Sequence, residues 1–145
     1  MIIGAERGEL MGTWGPGNFE NDAAADHLID LCRPLLTEIG KAMEEPSSLV
    51  PDEDDAGIVM ANLEIIACLS EHLGRYDQSK LGKILYPCVL PSPEVIGNWK
   101  QAYLAVWDSH IDELEPRPEY KKQRRDVIAE TFDRVERLAR TRQED

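Results

Sequence analysis

The stretch GTWGPGNFENDAAAD, residues 12–26, decides how the rest of the chain is read. Gly12, Gly15 and Gly17 sit with Trp14, Pro16 and Phe19 directly before an Asn21-Asp22 pair. Glycine permits backbone conformations and close approaches that other residues resist. Pro16 fixes its own φ and pushes Gly15 out of the helical region. The segment is therefore expected to be ordered but irregular, with a helix starting where it ends. Burying a large apolar side chain is worth roughly 1.5–3 kcal/mol, so Trp14 and Phe19 are expected to plug a groove between helices. Asn18, Asn21 and Asp22 can each cap the first helix. Asp22 and Asp26 place negative charge in its opening turns, where the helix dipole favours it.

Working outward, the first helix is expected over residues 22–45. Ala25, Leu28, Ile29, Cys32, Leu35, Leu36, Ile39 and Met43 recur on one face at helical period. Pro34 falls inside that pattern and predicts a kink or break. Residues 45–55, EPSSLVPDEDD, read as a loop leading into an acidic helix start. Its four acids lack the alternation and glycine of a calcium loop. The second helix, residues 54–73, is apolar around most of its circumference, which marks the central helix of a bundle. Ile58, Val59, Met60, Leu63, Ile65 and Ile66 lie in its apolar arc, with Gly57, Glu64, Cys68 and Glu71 as a narrow polar stripe. Asn62 and Ser70 fall inside the arc and need hydrogen-bond partners. Glu64 is placed to accept from backbone amides of the glycine stretch.

Residues 75–93 read as a long ordered connection, with a short helix at 79–86. Ser92, Pro93 and Glu94 then form a helix start. The third helix, residues 93–114, sets Ile96, Trp99, Tyr103, Val106, Trp107 and Ile111 on one broad face. His110 falls in the middle of it, where a hydrogen-bonded core histidine is the expectation. EPRP, residues 115–118, is a tight connector. The fourth helix, residues 118–142, carries an apolar stripe of Tyr120, Val127, Ile128, Thr131, Phe132, Val135, Leu138 and Ala139. Arg124 lies on that stripe and is placed to meet an acid or an aromatic ring. Glu130 and Arg134 are spaced for an i,i+4 pair.

The opening stretch resembles that of the 4259 family of domains of unknown function, a bacterial family. The matching positions are Gly12, Trp14, Gly15, Gly17, Phe19, Asn21, Asp22, Ala24 and Asp26. ANLEIIA at residues 61–67 is similar to the family's Glu-bearing second helix, and Leu90-Pro91 before a Trp-bearing helix also looks like the family. The resemblance implies a small helical domain and no established activity.

The expected architecture is all-α: an irregular Gly/Trp-rich N-terminal segment packed on four main helices. Residues 12–142 form a single helical domain, with a frayed tail at 143–145. Residues 1–11 precede the organising stretch and read as a disordered extension or as a leader upstream of a start at Met11.

Composition narrows the function. Twenty-eight acidic against 16 basic residues give a formal net charge of −12. Such a field repels phosphate backbones, which argues against nucleic acid, and attracts a basic protein partner. No apolar run reads as a membrane span or an export signal. Cys32, Cys68 and Cys88 show no metal or redox spacing, and an odd count fits the reducing cytoplasm. Cys32 and Cys68 read as small core residues. His27 faces outward while His110 faces inward, which argues against a shared metal centre. No catalytic motif, metal site or cofactor is implied.

Two functions fit these residues. One is a non-catalytic domain acting through protein contacts, with an immunity-like role against a basic toxin as one form of it. The other is an enzyme or small-ligand binder with a pocket near Trp14, Asp22, Asp26 and Glu64, joined by His110. The candidate ligand or partner residues are Trp14, Phe19, Asn21, Asp22, Asp26, Glu64 and His110. The plug role of the opening stretch predicts that Trp14→Ala costs about 3–5 kcal/mol. A thermal melt that stays at the wild-type temperature would instead make Trp14 a contact residue.

Overall fold

The computed structural model describes residues 12–13, 15–73 and 90–144. Four helices carry it: α1 (Asp22–Met43), α2 (Asp54–Leu73), α3 (Pro93–His110) and α4 (Pro118–Glu144). No strand occurs among the described residues; Thr13 and Asn21 form one isolated antiparallel bridge. Trp14, Cys88, residues 1–11, and the expected helix at 79–86 lie outside the described residues.

Helix boundaries follow local chemistry. Asn21 is the N-cap of α1, its side chain accepting from the Ala24 N–H at 2.8 Å. Asp22 follows as the first helical residue, and its N–H donates to the Gly12 carbonyl at 2.7 Å. Gly12 makes this contact at φ +79°, a conformation in which a side chain would be strained. Gly17 donates to the Glu20 carboxylate at 3.0 Å. α1 runs through Pro34 without interruption, because that proline is exposed and loses only one solvent-side hydrogen bond. Ser92 caps α3 by accepting from the Val95 N–H at 3.3 Å. α4 continues to Glu144, past the expected end at 142.

Contacts between helices set their directions. Asn62 on α2 donates towards the Leu35 carbonyl and the Glu38 carboxylate on α1, while Phe19, Ala25 and Leu28 pack beside Leu73. α1 and α2 are therefore antiparallel. Lys100–Asp133, Asp108–Arg125 and Asp112–Lys121 run the same way between α3 and its 3₁₀ extension and α4. Arg134 meets Glu71 and Glu64 towards the end of α2, while Tyr120 and Arg124 lie beside Ala56 and Gly57 at its start, so α4 runs parallel to α2. The result is an up-down-up-down bundle with α2 packed between α1 and α4.

The main core centres on Leu63 and Ile66 of α2, Ile39 of α1, Ile96 of α3, and Ile128, Phe132 and Val135 of α4. By length and composition α2 alone would pass for a membrane span, but here it is the central helix, flanked by α1 and α4. Only part of its apolar arc is covered. Ile58 and Ile65 lie exposed, against expectation; Ile58 lies at the edge of the α1–α2 seam, beside Glu38, Lys41 and Ala42 of α1. Cys68 is also exposed, on the polar stripe and not in the core, whereas Cys32 is buried. On α4, Tyr120 and Val127 are exposed although they fall on the apolar stripe. This register predicts that Leu63→Ala, at a site with 0% exposure, costs about 2–5 kcal/mol. Ile65→Ala, at 45% exposure, should stay within about 0.5 kcal/mol in a denaturant titration.

Candidate functional site: a cleft where two connections meet

Both helical hairpins close at the same end of the bundle, and both connections hold an L-residue in the left-handed region. The first passes through a 3₁₀ turn, Pro46–Leu49, whose Leu49 is fully buried. Glu53 N–H then donates to the Val50 carbonyl at 3.0 Å, closing a tight turn over Pro51-Asp52. Asp52 has φ +84° at the position where such a turn favours glycine. The second connection is a 3₁₀ turn, Ile111–Leu114, capped by Glu115 at φ +52°, whose N–H donates to the Asp112 carbonyl at 3.1 Å. Left-handed conformations cost L-residues roughly 1–2 kcal/mol.

Between the connections lies a cleft of about 750 Å³. Its floor is Tyr103, Trp107 and Ile111, all buried, with Leu114 and Tyr120 half-exposed at the edge. Asp52, Glu53 and Asp54 line one side, and Arg117 and Arg124 also face it. Tyr103 ties the floor to the bundle. Its hydroxyl donates to the Ala56 carbonyl in the first turn of α2 at 2.9 Å, and its ring lies 5.7 Å from that of Phe132. Burial pushes the Tyr103 hydroxyl pKa up, and the neighbouring Arg124 guanidinium opposes that shift.

The arginines divide into two groups. Arg33, Arg125, Arg134, Arg137 and Arg140 each meet a carboxylate. Arg117 and Arg124 are in no ion pair among the described residues, although three carboxylates line the same cleft.

Among the described residues, those singled out from sequence do not converge. Asn21 caps α1, Phe19 packs against Ala25, Leu28 and Leu73, and Asp22 and Asp26 are exposed on the opening turns of α1. Glu64 accepts from Arg134 at 3.3 Å, while the Gly17, Glu20 and Asp22 amides of the glycine stretch donate within the stretch itself, to Glu20, Gly17 and Gly12. Arg134 also grips Glu71 at 2.7 and 3.1 Å and reaches Cys68 Sγ at 3.8 Å. That grip holds the Glu71 carboxyl below its ordinary pKa and raises the arginine's own. Arg134 therefore ties α4 to α2, and Glu130 pairs with Arg137 rather than with Arg134. His110 is not in the core: α3 ends there, leaving its ring half-exposed with Nδ1 3.2 Å from the Glu113 carboxylate. It stands at the cleft end of the bundle, whereas Asp22 and Asp26 flank the far end of α2. A 20-residue helix separates the two ends by about 30 Å.

Sequence reasoning counted Trp107, Ile111 and Tyr120 as helix stripe and Asp52–Asp54 as a helix start. The one signal of a site among them was Arg124, a charge on an apolar stripe one turn after a tyrosine.

A family model described as "Domain of unknown function (DUF4259)" matches residues 12–140. The chain belongs to this family. No curated protein and no solved structure matches it. The matched region includes every residue of the cleft.

The left-handed cap makes one stability prediction. Glu115→Gly removes the backbone strain, offset by the greater freedom of glycine in the unfolded chain, for a net gain of about 0.5–1 kcal/mol. Melting should rise by about 2–3 °C; Glu115→Ala, which keeps the strain, should leave it unchanged.

Proposed function

We propose that this domain is a non-catalytic binding module that docks a segment of a partner protein in the cleft. The observation that carries this reading is the continuity of the buried floor, Trp107 and Ile111, with the half-exposed Leu114 and Tyr120. Tryptophan, tyrosine and arginine are the side chains that dominate protein interfaces, and an apolar centre ringed by charge is how such sites are built. The floor belongs to the folded core, so the site is preorganised and binding sacrifices little chain entropy. The net charge of −12 favours a partner whose surface around the docked segment is basic.

A photo-crosslinking side chain placed at Tyr120 tests this in extract from the native cells. Adducts to a defined protein should form from position 120 and not from Ile65, an exposed apolar position on α2 away from the cleft. The same adducts from both positions, or none from 120, would refute the cleft as the docking surface.

A further inference from the structure

Resting on the cleft as the docking site, we infer that Arg117 and Arg124 form a carboxylate subsite that takes the free C-terminus of the partner chain. In a protein with 28 acidic residues, carboxylates are abundant. Every other arginine side chain among the described residues has found one. The two exceptions share one cleft, and Arg124 is only partly exposed, beside the buried Tyr103 hydroxyl. A guanidinium left without a carboxylate against an aromatic floor is arranged for an anion that arrives from outside.

The chemistry of that anion is narrowed by its neighbours. Asp52, Glu53 and Asp54 line the same cleft, and the whole chain is strongly negative. A phosphate dianion would meet about twice the repulsion that a monoanionic carboxylate meets. A planar carboxylate also matches the fork of a guanidinium. A chain terminus carries its carboxylate on the same residue as its last side chain. An apolar last side chain can therefore rest on Leu114 and Tyr120, above the buried Trp107, while its carboxylate faces the arginines. Residues upstream then pass the Asp52–Asp54 side, where lysine or arginine is favoured. One short segment thus complements both charged sides and the apolar floor.

The test uses the full chain and a C-terminally randomised octapeptide library, prepared once as free acids and once as C-terminal amides. Selection should favour the free acids by about 10-fold or more, the scale of one charge-assisted hydrogen-bond pair. Enriched sequences should end in an apolar residue preceded by basic ones. Arg124→Gln should reduce the preference to parity, with Arg117→Gln giving a smaller loss. If Arg124→Gln fails to fold by circular dichroism, Arg124→Met, which keeps the apolar stem and removes the charge, and Arg117→Gln carry the same comparison. Equal selection of acids and amides, both lost with Tyr120→Ser, would overturn the carboxylate subsite and leave the docking cleft standing. Selection of free acids that survives both arginine substitutions would place the carboxylate elsewhere and overturn the inference. No selection from either library would overturn the subsite and the peptide-docking function together.

Discussion

A helix that is apolar around most of its circumference has to be covered on more than one side, and α2 imposes that requirement on the whole chain. Leu63, Ile66 and Ala67 are fully buried. Covering them takes α1 on one flank and α4 on the other, with Tyr103 of α3 reaching the first turn of α2. Among the described residues Arg134 holds the acids of the polar stripe that remains: it meets Glu71 and Glu64 together and so fixes the register of α4 along α2. Hydrophobic burial supplies the drive and the arginine supplies the alignment.

That arrangement also determines where a binding site can form. In an up-down-up-down bundle the α1–α2 and α3–α4 connections close at the same end. The residues there belong to two stretches more than forty positions apart, Pro51–Gly57 and Tyr103–Arg124, and only the helix directions bring them together. The opposite end is occupied by the glycine-rich segment. Its described part serves the start of α1 through Gly12, Glu20 and Asn21.

Much of this was legible in the sequence because helix ends are local. Asn21, Ser92 and Pro118 declare starts, and the start and end of α2 fall where its apolar pattern begins and stops. What a helical wheel cannot show is which part of an apolar arc faces a neighbour. Ile58 and Ile65 belong to the arc by period and are exposed by packing; Cys68 follows the polar stripe into solvent. His110 was misplaced for another reason. It is the last residue of α3, where the helix gives way to the 3₁₀ turn at Ile111, and its ring is left half-exposed beside the Glu113 carboxylate. The cleft was harder still. Its floor residues have the periodicity of core residues because they are core residues, and the left-handed turn at Asp52 uses an aspartate where glycine would have announced it.

The double duty of Tyr103 has a consequence for how members of this fold can diverge. Its ring packs on Phe132 in the core and its hydroxyl bonds to α2, yet it also forms the bottom of the cleft. Trp107 is buried in the same way. Changes at these positions are charged against folding before they can alter recognition. New specificities are therefore open to drift only at the rim, at Glu53, Arg117 and Tyr120, where a side chain can be exchanged without disturbing the bundle. The fold thus holds the depth and position of the cleft constant and leaves its selectivity to evolve separately.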